Sequence, residues 1–256
     1  MLLAIDVGNT NITFAAFSGR SLVTEWRIAT STSRTAEEYG VWLSQAMHLD
    51  QVNMADIKDV IIGTVVPGAL FNLKGLCKRY FNCTPLVIGE PNVEIGMTPQ
   101  IDNPKEAGAD RLVDAVAAHA KYGGDTIVID FGTATTLDVV DSDGNYAGGV
   151  IAPGVNLSLD ALHGAAAKLP RIAVERPRKV IGKNTIECMQ SGIYWGYISM
   201  VEGLIQRMRA EYGAPLTTVA TGGLAPLLAR GTEIIDHIDR DLTLTGLVEI
   251  YHRNKN

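Results

Sequence analysis

The sequence predicts an α/β chain built twice on one plan, each half a mixed sheet flanked by helices. Two observations carry that prediction. An apolar run ends in aspartate at Leu2-Leu3-Ala4-Ile5-Asp6, turns at Val7-Gly8-Asn9-Thr10 and continues β-rich through Phe17. The same grammar returns at Ile127-Val128-Ile129-Asp130, then Phe131-Gly132-Thr133-Ala134-Thr135-Thr136 and Leu137-Asp138-Val139-Val140, 124 residues on in a chain of 256. The second observation is that the order of elements after each turn repeats as well. Three strands joined by tight turns, then alternating helices and strands, make a mixed sheet covered by helices.

In the first half, strands are expected at 2–6, 11–17 and 22–29. A helix at 35–49 follows, with Glu37 and Glu38 in its first turn and Tyr39, Trp42, Leu43, Ala46 and Leu49 at helical spacing. Then come a strand at 59–64, a helix at 69–81 and a strand at 85–88. Between the halves a helix is expected over 104–122, with Pro104 and Glu106 in its first turn and Leu112, Val113, Val116, Ala117 and Ala120 on one face. The second half reads as strands at 126–130, 135–141 and 146–151 and a helix at 155–167. A strand at 217–221, a helix at 223–230 and a strand at 233–235 complete its repeat. A final helix, 241–253, carries Leu244, Leu247, Val248 and Tyr251 on a stripe that would pack back on the body.

The longest helix lies in an extra segment of the second half. Asn184 reads as its N-cap and Glu187 as the third helical residue. Ile186, Met189, Ile193, Tyr197, Met200, Leu204 and Met208 line one face, and Trp195, Ile198 and Ile205 a second. A helix that buries two faces serves a core on one side and a second subunit on the other, although burial within its own monomer would also account for it. The expected domains are 1–115 and 116–256, with a dimerisation helix near 184–212.

Composition narrows the function. An apolar share of 46% and mixed charge describe an ordinary globular protein, and a net charge of −6 gives no electrostatic footprint for nucleic acid. The opening strand is too short and lacks the basic flank of a signal peptide, and no segment reads as a membrane span. Three cysteines, Cys77, Cys83 and Cys188, make no C-x-x-C pair and read as reduced, structural residues; the five histidines show no ligand spacing. What remains is the repeated turn. A strand that ends in Asp at a glycine turn aims one carboxylate and several backbone N–H groups at one spot, which suits a metal-bound polyphosphate, and two such turns face to face would clamp a nucleotide. Asp before Gly also caps ordinary hairpins, but its recurrence in equivalent places weighs against that reading.

Taken in order, further segments carry a resemblance. They are Asp6-Val7-Gly8-Asn9-Thr10-Asn11, Asp102-Asn103-Pro104-Lys105-Glu106, Gly108-Ala109-Asp110-Arg111-Leu112, Asp130-Phe131-Gly132-Thr133-Ala134-Thr135-Thr136, Gly148-Gly149 with Pro153-Gly154, Gly182-Lys183-Asn184-Thr185, Met189-Gln190-Ser191-Gly192 and Thr221-Gly222-Gly223. With them the chain resembles, nearly end to end, the type III pantothenate kinases of the acetate and sugar kinase, Hsp70 and actin superfamily. The resemblance implies duplicated RNase H-like (actin-like ATPase) domains and a cytoplasmic homodimer. It implies phosphorylation of the primary hydroxyl of pantothenate by ATP, the entry step of coenzyme A synthesis, with Mg²⁺ and a monovalent cation (K⁺ or NH₄⁺).

Residue by residue, the resemblance makes Asp6, Val7, Gly8, Asn9, Thr10, Asn11, Ile12 and Thr13 the ATP phosphate-binding stretch and Thr133 a second ATP contact. It makes Gly108, Ala109, Asp110 and Arg111 the pantothenate loop, with Asp110 as proton acceptor, Asp130 the monovalent-cation ligand and Thr185 a further substrate contact. A substrate-contacting Tyr is frequent in the family at the position of Ile101, and its loss would remove one hydrogen bond without touching the chemistry. Asp6 would orient Mg²⁺ through water, because Mg²⁺ keeps most of its hydration shell. Arg111 would hold the substrate carboxylate in a fork that Lys cannot match. Seen alone, Asp110-Arg111 would be a surface ion pair, Thr185 a helix-start residue and Thr221-Gly222-Gly223 a strand-to-helix turn. Two other functions fit the same residues: a kinase for another small acceptor, and a regulator without useful catalysis, like Bvg accessory factor. The retained Asp6, Asp110, Arg111 and Asp130 argue against a dead enzyme.

Overall fold

The computed structural model describes residues 1–166 and 168–255, so the helix expected over 155–167 ends on a residue outside that description. Two compact units divide the chain: residues 1–97, 103–120 and 242–256 form one, and 98–102 with 121–241 the other. Each contains a five-stranded sheet.

In the first unit β1 (Leu2–Val7) pairs antiparallel with β2 (Asn11–Ser18), which pairs with β3 (Ser21–Ala29); on its other side β1 runs parallel to β4 (Asp59–Thr64), and β4 to β5 (Leu86–Val87). The central strand reads as a continuous apolar run because both its faces are covered. On one face α1 (Ala36–Leu49) and α2 (Pro67–Leu76) pack over Leu3, Ile5, Phe14 and Ile62. On the other, Leu2, Ala4, Ala15 and Ile61 meet α3 (Ala109–Tyr122) and α7 (Leu242–Arg253) through Val113, Val116, Leu244 and Leu247. A capping box opens α1: Thr35 Oγ1 accepts from Glu38 N–H at 3.2 Å and Glu38 Oε2 from Thr35 N–H at 2.7 Å.

The second unit repeats this order. β6 (Thr126–Phe131) pairs antiparallel with β7 (Ala134–Val140) and β7 with β8 (Tyr146–Pro153), while β9 (Thr217–Thr221) and β10 (His237–Ile238) add in parallel. Read from the third strand of each repeat, both sheets have the same order, 3-2-1-4-5. Over one face of this sheet lie α4 (Val155–Ala165), α5 (Thr185–Tyr212) and α6 (Ala225–Leu228), with Ile127, Ile129 and Leu137 beneath them. On α5 the buried stripe is Met189, Ile193, Tyr194, Tyr197, Ile198, Val201 and Ile205, whereas Trp195, Met200, Leu204 and Met208 are half-buried and Ile186 is exposed.

Several expected elements differ, each for a local reason. The helix at 104–122 is two pieces: Asn103 caps a 3₁₀ turn over Pro104–Glu106, accepting from Lys105 N–H at 3.3 Å, and extended Ala107 ends that turn before α3 begins. The helix at 69–81 is α2 followed by a π turn, Cys77–Phe81, which left-handed Asn82 (φ 51°) terminates. The strand at 233–235 is displaced to β10. Asp236 and Thr218 exchange side-chain bonds of 2.8 to 2.9 Å that satisfy the backbone before the strand begins. The helix at 223–230 is short, α6 passing into a 3₁₀ turn at Ala229–Gly231. A boundary at 115/116 would cut α3; that helix and α7 go with the first sheet because their apolar faces pack under it.

Helix α7 approaches α3 closely at Gly246, where a methyl group would overlap the Val113 carbonyl oxygen and come within 2.7 Å of Val113 Cγ1. Gly246→Ala should therefore lose about 1–3 kcal/mol or more, since overpacking moves backbone rather than a flexible side chain. Urea denaturation checks this. The midpoint should fall with an unchanged slope, and an unaltered midpoint would mean that the two helices separate freely.

Candidate functional site

The carboxylate of Asp6 sits on the fifth residue of β1, opposite Thr13 on β2 and Gly63 on β4. The turn that follows is held on several sides. Gly8 N–H donates to Asn11 O at 3.0 Å, Thr30 N–H to Thr10 O at 3.0 Å, and Thr30 Oγ1 to Gly8 O at 2.6 Å. Val7, Ile12 and Thr13 are buried, while Asn9, Thr10 and Asn11 are exposed. Of the eight-residue stretch singled out in the sequence, the exposed tip alone presents side chains outward. The Gly8 N–H, expected to face a ligand, closes the turn instead.

Asp110, in the first turn of α3, lies close enough to Asp6 for their charges to act on one another. Its Oδ1 accepts from Arg111 N–H at 2.8 Å, and the carboxylate also sits against Gly108, where an added Cβ would come within 2.6 Å of Oδ1. The helix start favours negative charge there, because its first N–H groups lack intrahelical partners. Asp6 pays for its position: its pKa is pushed up to about 6, first by burial and then by Asp110, with Arg27 pulling the other way. Arg27 stands on β3 opposite Thr13. Nothing in its sequence setting distinguished it from any other strand residue.

The second unit builds the equivalent corner. Asp130 is the fifth residue of β6, opposite Thr136 on β7 and Thr221 on β9. Gly132 N–H donates to Ala134 O at 3.0 Å and so, like Gly8, closes its turn. Two glycines pack on this corner. An added Cβ at Gly222 (φ 89°) would lie 2.5 Å from Asp130 Oδ1 and 2.7 Å from Phe131 O. One at Gly154 would overlap the carbonyl of Thr133, to which Gly154 N–H donates at 3.1 Å. The sequence marked Thr221-Gly222-Gly223 as a turn, but the contact of Gly222 with Asp130 joins residues 92 apart and left no local trace. Ile101 lies in this unit, its Cγ2 3.6 Å from where a Cβ of Gly148 would stand. Thr185 is the exposed first residue of α5, whose N-cap Asn184 accepts from Glu187 N–H at 2.9 Å as predicted.

Within the first unit the structure thus brings Asp110 within electrostatic range of Asp6, and within the second Asp130 and Thr133 lie on one turn. A cavity of about 480 Å³ lined by Glu202, Arg230 and Glu233 contains none of these residues. Among the described residues no three His, Cys, Asp or Glu side chains converge as a metal cage, and no helix is long and apolar enough to cross a membrane.

A family model described as type III pantothenate kinase matches residues 2–207. A type III pantothenate kinase of Paramagnetospirillum magneticum is 58% identical over 99% of this chain and 98% of its own length; one from Rhodospirillum rubrum is 58% identical over 100% and 99%. Among solved structures, the activator of the 2-hydroxyisocaproyl-CoA dehydratase from Clostridium difficile with bound ADPNP superposes with a TM-score of 0.57. It is 14% identical, over 99% of this chain and 95% of that one, which establishes a shared fold.

Asp6 makes stability depend on pH. With its folded pKa near 6 and its unfolded pKa near 3.8, the folded state holds the extra proton between those values, so its contribution to stability declines as pH rises through that window. Asp6→Asn carries no such penalty. Urea midpoints of the two proteins should coincide near pH 4 and diverge up to about pH 6, with the variant the more stable, then stay parallel. A constant gap over the whole range would show that Asp6 ionises normally.

Proposed function

We propose a function on one premise: this chain belongs to the type III pantothenate kinase family. It transfers the γ-phosphoryl group of ATP to the primary hydroxyl of pantothenate, the first step of coenzyme A synthesis. The observation that supports the assignment of roles most directly is the pairing of Asp6, at the end of a buried strand, with Asp110 at a helix start. Phosphoryl transfer asks little covalent work of the protein; it asks for charge to be neutralised and the nucleophile to be held in line.

Asp110 is the proton acceptor. One of its oxygens is held by the Arg111 N–H, which fixes the carboxylate and leaves the other oxygen for the substrate hydroxyl. The Arg111 guanidinium binds the pantothenate carboxylate, and Gly108 and Ala109 let the substrate approach the loop. Ile101 and Thr185 make further substrate contacts. Asn9, Thr10 and Asn11 meet the ATP phosphates, on a turn that Val7, Gly8, Ile12 and Thr13 support, and Thr133 makes a second ATP contact.

Asp6 would hold Mg²⁺ through water. The fit is good, because a cation relieves the burial and repulsion that raise its pKa, and few protein carboxylates suit an ion that keeps its water shell. When bound, Mg²⁺ supplies neutralisation of polyphosphate charge. Asp130 would hold K⁺ or NH₄⁺. Asp130 Oδ1 and Phe131 O both border the space that a side chain at Gly222 would fill, and oxygen donors of low total charge suit a monovalent ion. We further propose two ATPase-like halves and a cytoplasmic homodimer in which the half-buried Met200, Leu204 and Met208 of α5 meet a second copy.

Pure protein with ATP, Mg²⁺, K⁺ and saturating pantothenate should form ADP in a pantothenate-dependent manner. ADP formation no faster than without pantothenate would overturn the kinase function.

The two aspartates of the first unit should separate in kinetics. Asp110→Asn keeps shape but cannot take the proton, so kcat should fall roughly 10²-fold, the low end for a lost base because a dissociative transition state asks less of it. Its affinity for MgATP should survive. Asp6→Asn should weaken Mg²⁺-dependent nucleotide binding together with turnover. Selective loss of nucleotide binding in Asp110→Asn would reverse the two assignments.

A further inference from the structure

The π turn after α2 places two cysteines side by side, at the end of the first unit's sheet away from Asp6. Cys83 N–H donates to Cys77 O at 3.3 Å and Asn82 N–H donates to the same oxygen, while Asn82 reverses the chain in the left-handed region. A direct backbone hydrogen bond between two residues holds their α-carbons near the separation, about 4.4–6.8 Å, that a disulfide spans. The side chains follow: the two thiols are near enough for each to shift the other's pKa.

Their environments differ. Cys77 is fully buried in the core under α1 and α2, whereas Cys83 is half-buried at its margin. The bond to Cys83 and burial both push the Cys77 thiol up, and the bond from Cys77 holds the Cys83 thiol below its ordinary range, helped by Lys255 against Asp59 and its own desolvation. Lys255 is fixed beside this corner by its ion pair with Asp59, 2.6 Å. One thiol is thus half-exposed and shifted toward the thiolate, beside a buried partner whose own shift favours the protonated form. That is the arrangement in which an oxidised sulfur meets a resolving thiol.

We propose that Cys77 and Cys83 are a peroxide-reactive dithiol that closes reversibly to a disulfide. The Cys83 thiolate attacks a hydroperoxide, breaking its O–O bond and forming sulfenic acid, with the leaving alkoxide or hydroxide protonated by water. The Cys77 sulfur then attacks the Cys83 sulfur, the S–S bond forms, and the sulfenic oxygen leaves as water with the Cys77 proton. Two thiols lose two electrons and two protons, and the peroxide is reduced. The site is independent of the phosphate turn: β4 begins at Asp59, opposite Leu2, while Asp6 lies at the other end opposite Gly63.

The test uses full-length Cys188→Ser, which removes the exposed third thiol and leaves the pair intact. One equivalent of hydrogen peroxide should abolish both remaining thiols together and lower the intact mass by the two hydrogens lost. Lys78 and Arg79 lie between the cysteines, so tryptic digestion without reductant should yield two peptides joined through sulfur, separated by dithiothreitol. Adding Cys77→Ser should stop the reaction at a dimedone-trappable sulfenic acid on Cys83. The proposal fails if Cys83 gains oxygen while Cys77 still alkylates, if the disulfide joins two chains, or if both thiols survive a tenfold excess of peroxide. Should the double variant not fold, the Cys188→Ser digest alone decides.

Discussion

A buried central strand that ends in a carboxylate is the constraint on which each unit depends. Burying both faces of β1 stabilises the sheet, but it carries Asp6 to the edge of a low-dielectric region where its charge is disfavoured. Arg27 offsets that cost only in part. The chain places a second carboxylate, Asp110, within range, and the strain on Asp6 deepens. A buried carboxylate held against a second one is the kind of arrangement by which functional sites shift pKa values.

The duplication is stricter in the sheets than in the sequence. Asp6 and Asp130 occupy the same residue of the same strand, face a threonine across the antiparallel neighbour, and precede a glycine whose N–H closes the turn. Yet the corners are furnished differently. The first takes its partner from a helix start, and the second is packed by Gly154 and Gly222 against backbone oxygens. A shared backbone thus sets two equivalent aspartates in different chemical surroundings.

Outside the sheets, side chains set the limits of elements as much as periodicity does. Thr218 and Asp236 bond each other just past the strand expected at 233–235, and Asn103 closes a separate turn ahead of α3. Asn82 ends a helix through a π turn, and that same turn joins Cys77 to Cys83. Six residues apart, these thiols have no recognisable motif; their proximity comes from the turn's hydrogen bonds.

By itself the sequence determined the strands with their terminal aspartates, the order of elements in each half, the cap at Asn184, and the family. These depend on periodicity and on interactions within a few residues, which a sequence displays directly. The tertiary structure alone decided that Asp110 lies beside Asp6, that Arg27 tempers it, that Gly222 leaves room at Asp130, and that α3 and α7 cover the first sheet. Each of those relations joins distant residues through packing, and packing follows shape and burial that no local window of the chain contains.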